Sequence, residues 1–168
     1  MLAGAGAYAQ GLVAFGNSNP INDADGVTGL SAPFQAELYA GTSASSLTPI
    51  TSSITPFIGG GFFFNANTVT VPGIAGGANA FLAIAVWNPA DGSTFEAASL
   101  KAGAHVGSDL ANPFQLALGG AGTPPSAPAV IPSSVAGFNL SIVQAVPEPT
   151  TIALGLLGAG ALFLRRRK

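Results

Sequence analysis

Catalysis or metal binding needs titratable or ligating side chains that converge, and this 168-residue chain has few of them. His105 is its one histidine, set in Lys101-Ala102-Gly103-Ala104-His105-Val106-Gly107, and there is no cysteine. A single imidazole with no thiolate or second imidazole falls short of a transition-metal site, so the stretch reads as a solvated loop. A Ser-His-Asp arrangement would have to use His105, and no Gly-x-Ser-x-Gly elbow occurs among the many serines. Hydrolysis by paired carboxylates would draw on Glu37 and Glu96, whose separation in space the sequence leaves open. Asn22-Asp23-Ala24-Asp25-Gly26 is the best acidic cluster: alternate carboxylates before a glycine can aim oxygens at one hard cation, which makes Asp23 and Asp25 a weak calcium candidate. Ile21 and Ala32 break the calcium-loop pattern at its two ends, and a turn whose Asx side chains bond local amides explains the same residues. No catalytic residue, metal or cofactor is expected.

The aromatic residues give a second route to function. Trp87, beside Asn88-Pro89 at the end of an apolar run, could stack on a sugar, although a lone tryptophan closing a buried strand is more often core. Phe62-Phe63-Phe64 follows three glycines. Successive strand residues point to opposite faces, so at least one of these rings faces outward unless another element covers it.

The elements that would position these residues read as strands. Phe34, Ala36, Leu38 and Ala40 alternate with Gln35, Glu37 and Tyr39, a half-buried pattern. Asn67 to Gly73 alternates valine with threonine, and Ala80 to Pro89 is apolar on both faces, as in a central strand. Gln10 to Asn17 opens the sheet. Pro113 to Gly120 and Gly137 to Gln144 complete it, with Phe114, Leu116 and Leu118, then Phe138, Leu140 and Ile142, facing inward. Turn signals lie between them at Pro20 to Gly26, Gly59-Gly60-Gly61, Asn88 to Gly92, Asn112-Pro113 and Pro124-Pro125, and Gly119 to Pro132 reads as a long loop. Short strands with frequent turns and no sustained amphipathic helix predict an all-β antiparallel β-sandwich, immunoglobulin-like or jelly-roll-like, over residues 10–145.

Charge divides the chain. Ahead of the tail, six acids (Asp23, Asp25, Glu37, Asp91, Glu96, Asp109) face one base, Lys101, leaving −5 and no footprint for nucleic acid. The last four residues, Arg165, Arg166, Arg167 and Lys168, are all cationic. Between them and Pro149 runs an uncharged apolar segment, residues 151–164, roughly 21 Å long as a helix against a hydrocarbon layer of about 30 Å. It is apolar around its circumference and holds three glycines, which suits a short transmembrane helix better than a helix docked on the domain. The basic cluster would stop it on the cytoplasmic side, with the domain outside.

Val146-Pro147-Glu148-Pro149, a short Gly/Leu/Ala-rich span and Arg-Arg-Arg-Lys, in that order, resemble the PEP-CTERM sorting signal of Gram-negative bacteria. The resemblance covers residues 146–168. It implies recognition of Pro147, Glu148 and Pro149 by exosortase, a membrane-embedded cysteine protease or transpeptidase, and removal of the tail near that motif after export. The two prolines keep the local backbone extended, as a protease requires. More broadly, the pattern of Phe34 to Gly41, Ser46 to Ile50, Val69 to Gly73, Ala85 to Pro89 and Leu118 to Pro128 is similar to a group of secreted PEP-CTERM proteins of Verrucomicrobia-type bacteria.

At the other end, Ala7-Tyr8-Ala9 before Gln10 has the form of a signal-peptidase site, and residues 1–9 read as the remnant of a signal peptide that begins upstream. The expectation is a non-enzymatic exported protein, held transiently in the inner membrane, processed by exosortase and delivered to the cell envelope or extracellular matrix, where polysaccharide is a candidate partner. The alternatives are a carbohydrate-binding module using Trp87 and a permanently membrane-anchored surface protein.

Overall fold

The structure is a computed structural model that describes residues 10–145. Nine strands and one short helix follow in chain order: β1 (Gln10–Gly16), β2 (Gln35–Gly41), β3 (Thr48–Gly59), β4 (Phe62–Ala75), β5 (Asn79–Trp87), α1 (Phe95–Ala98), β6 (His105–Ser108), β7 (Phe114–Ala117), β8 (Ala129–Val130) and β9 (Ser141–Ile142). They form one open sheet in the order β8-β1-β4-β3-β2-β5-β6-β9, with β7 also paired to β5. All pairings are antiparallel except that of β1 with β8.

The all-β expectation holds, and the two-sheet sandwich gives way to one continuous sheet. The link is the β3–β4 hairpin, whose strands of 12 and 14 residues pair with each other only beside the turn, Phe57 with Phe63 and Gly59 with Phe62, while the rest of β3 pairs with β2 and the rest of β4 with β1. Irregularities in register bend the strands, as bulges do. At one of them, between Ala36 and Leu38, the Ser53 hydroxyl accepts a hydrogen bond from the Leu38 amide at 2.7 Å. Curvature lets the inward side chains of β1, β2, β4 and β5 share a single core that includes Phe15, Leu38, Phe63, Val71 and Leu82. The two flanks also meet: Leu12 of β1 and Gly119, just past β7, exchange a pair of backbone hydrogen bonds at 3.0 Å. The hairpin turns through Gly59, Gly60 and Gly61, all at positive φ, a conformation that side chains with a Cβ rarely adopt.

Several strands differ from the reading of the sequence. β2 is buried on both faces, not one, because α1 covers its outer side. The loop expected at Gly119 to Pro132 contains β8, and the stretch around His105 is the strand β6. Of the last predicted strand, Ser141 and Ile142 form β9 and Asn139 makes an isolated bridge to Asn22; Leu140 is buried, whereas Ile142, on this edge strand, is 45 % exposed.

Candidate functional site

The inner face of β2 and β5 is purely apolar, and the outer face is not. There, large residues lie opposite small ones: Tyr39 faces Ala83, and Glu37 faces Ala85. The space left by the two alanines is filled by Glu37, Tyr39 and Phe95, the first residue of α1. Thr94 caps α1 by accepting a hydrogen bond from the Ala97 amide, and the helix sets Glu96 above the sheet, where the Tyr39 hydroxyl donates to Glu96 Oε1. Trp87, on the same face of β5, packs against Phe95 and donates its ring N–H to the Gly92 carbonyl at 3.0 Å.

Glu37 and Glu96, the candidate carboxylate pair, are therefore brought together, but at different depths. Glu37 is 2 % exposed and its Oε1 has no hydrogen-bond partner; Glu96 is on the surface. Burial, and secondarily the nearby Glu96 charge, push the Glu37 carboxyl up to about 7. The Tyr39 hydroxyl holds the Glu96 carboxyl below its ordinary range. Burial first, then the bond to Glu96, pushes the Tyr39 phenol well above the ordinary tyrosine range. A protonated acid beside an ionised one is the electronic pattern of acid-base hydrolysis. In this arrangement, however, the acid lies beneath Tyr39 and α1, out of reach of a substrate. A second carboxyl, the half-buried Asp109, accepts a hydrogen bond from the Ile84 amide, and burial pushes it up to about 6.

The other candidates fall elsewhere. His105 is on β6, not in a loop, and its Nδ1 lies 2.5 Å from Asp23 Oδ1. Asp23 also accepts from the Ala24 amide. The Asp25 carboxylate is filled by the Val27 and Thr28 amides and the Thr28 hydroxyl, which hold it below its ordinary range. These are the bonds of an Asx turn, and among the described residues no group of three or more acidic, histidine or cysteine side chains gathers as a metal site would require. Trp87 is fully buried, which removes it as a sugar-stacking platform. Of the three phenylalanines, Phe63 enters the core, while Phe62 and Phe64 are exposed at 38 % and 59 %.

Sequence reasoning missed Tyr39 as the link between Glu37 and Glu96. Part of the signal was present in the strand pattern, which put Glu37 and Tyr39 on one face; the pairing that sets them opposite Ala85 and Ala83 was not. Missing was the four-residue helix that closes over them. No helix among the described residues is long and apolar enough to cross a membrane. Ala7 and Ala9, the sorting residues Pro147, Glu148 and Pro149, the apolar segment 151–164 and the cluster Arg165 to Lys168 lie outside the described residues.

Residues 145–168 match the family model described as the PEP-CTERM protein-sorting motif. No curated protein and no solved structure matches the chain. The motif supports an exported protein whose sorting is membrane-associated and carried out by exosortase.

Proposed function

We propose that the chain is a non-enzymatic component of the cell envelope or extracellular matrix, and that exosortase cuts it near Pro147-Glu148-Pro149 after residues 151–164 have held it in the inner membrane. The sorting motif at residues 145–168 carries this reading. The charge-poor composition of the chain suits a matrix component with no charged substrate to attract. The burial of Glu37 beneath Tyr39 and α1 and the scattering of His105 and Asp109 favour a structural role over hydrolysis.

The test is the intact mass of the mature protein from the membrane, envelope and medium of the producing cells, with both termini sequenced. A C-terminus near Pro147-Glu148-Pro149 in the envelope or medium is expected. A chain still ending at Lys168 in the membrane would make the tail a permanent anchor and overturn processing.

A further inference from the structure

The large apolar side chains that the fold leaves exposed are concentrated at one end of the sheet. Strand directions define that end. Gln35 of β2 pairs with Trp87 of β5 and with Pro56 of β3, so the start of β2, the end of β5 and the β3–β4 turn lie together. Gly16, the end of β1, pairs with Phe64 just below the turn. Val106 pairs with Trp87, which puts His105, the first residue of β6, at the same end, and β9 runs antiparallel to β6 from Ser141 to Ile142 toward it. Past β9, Val143 still bonds Ala104 and Gly103. The described chain therefore leaves the sheet at the end where the Gly59–Gly61 turn lies.

Ile58, Phe62 and Phe64 flank that turn, exposed at 75 %, 38 % and 59 %, and with Val130 of β8 they line an uncharged groove of about 320 Å³. Leu100, in the connection between α1 and β6, and Ile142 on β9, which pairs with His105, are also exposed. At the opposite end, the β2–β3 loop is Thr42-Ser43-Ala44-Ser45-Ser46-Leu47, and its one large apolar residue, Leu47, is half-buried against the cluster of Tyr39, Ala83 and Ala85.

We propose that this end is a membrane-docking face that seats the domain on the surface of a zwitterionic bilayer while the tail is still attached. The inference rests on the reading of residues 151–164 as a membrane segment. From Ala145 to Thr151 the backbone spans at most about 20 Å, so that segment would hold this end of the domain, rather than the opposite one, against the bilayer. The patch exposes on the order of 500 Å², given roughly 150–250 Å² for a large aromatic side chain, in the range of patches with a partner on a monomer. A stable dimer needs about 800 Å² per copy, so a second copy of this chain fits less well. Asp23, Asp25 and Asp91 stand near this end with Lys101 as the one base among the described residues, which disfavours anionic lipid.

The absence of cysteine makes the test direct. The full chain, carrying Ile58→Cys, Phe64→Cys or Ala44→Cys with an environment-sensitive dye, is reconstituted into phosphatidylcholine and phosphatidylethanolamine vesicles and recovered by flotation. The expected result is a blue shift, quenching by lipid-borne spin labels and loss of iodide quenching at positions 58 and 64, with Ala44→Cys remaining fully open to iodide. A chain that floats but is equally open to iodide at all three positions overturns the docking face and leaves the sorting assignment standing. A chain that does not float overturns the membrane segment and the docking face together. Dyes shielded without lipid, with copies of the unlabelled Ile58→Cys chain cross-linking through their free thiols, would assign the patch to self-association and overturn the inference.

Discussion

Leu38 and Glu37 are neighbours on β2 and both are buried, yet they belong to different kinds of interior. Leu38 points into the apolar core shared with Phe15, Phe63 and Leu82, where its side chain has no charge to lose and stability is a matter of filled space. Glu37 points to the other side, into a thin layer held by Tyr39, Phe95 and the alanines of β5, and its Oε1 has no partner. Burial alone stabilises the first. In the second, burial opposes ionisation, and the layer is tolerated because Glu37 keeps its proton up to about 7. Two faces of one strand should therefore respond to different variables, one to volume and the other to pH.

The largest effect should come from volume. Leu38→Ala opens a cavity at a fully buried position and should cost about 2–5 kcal/mol, equally at pH 5 and pH 8, in urea denaturation of the chain. A loss that depended strongly on pH would show that the two faces are not independent.

Next in size is Glu37→Gln, which keeps the shape and removes the titration. The folded protein holds the Glu37 proton more tightly than the unfolded chain, whose carboxyl has the ordinary value near 4.5. Stability should thus be highest below that value, fall as pH rises toward about 7, and stay at the lower level above it. Asp109, raised to about 6, adds a fall of the same sign that ends earlier. Relative to the parent, Glu37→Gln should gain on the order of 2 kcal/mol between pH 4 and pH 8, after allowance for solvent screening, and remove the upper part of the decline. An unchanged pH profile would mean that Glu37 is solvated in solution, and the contrast between the faces would fail.

How much of this was legible follows the same division. The inward strand faces were readable from alternation, because Leu38, Val69, Val71 and Leu118 follow a period of two that local sequence carries. The single sheet was not readable. It depends on the β3–β4 hairpin, and the sequence reading placed no strand over Thr48–Gly59, whose opening stretch Thr48-Pro49-Ile50-Thr51-Ser52-Ser53 lacks the apolar alternation of the other strands yet pairs with β2. The outer layer was half readable. Glu37 and Tyr39 share a face in any strand reading, but the cover over them is Thr94 to Ala98, too short a helix for periodicity to reveal. His105 shows a third case: its partner Asp23 is distant in sequence, and no pattern joins the two residues.

The smallest expected effect separates the two carboxylates within the outer layer. Tyr39→Phe keeps the ring against Phe95 and removes the donor to Glu96, at a cost of about 1 kcal/mol at neutral pH, since Glu96 is exposed and water can replace the hydroxyl. The sign is opposite to that of Glu37. The folded Glu96 carboxyl lies below its ordinary value, so the stability it contributes is present above that value and disappears as pH falls through the folded one. The cost of Tyr39→Phe should accordingly shrink in acid, the range where Glu37→Gln has least to gain. Measured together across pH 3 to 8, the two substitutions would give curves that diverge in opposite directions from the parent as pH rises, Tyr39→Phe downward and Glu37→Gln upward. Parallel curves would mean that Tyr39 packs in the layer without holding the Glu96 charge, and that depth of burial alone distinguishes the two acids.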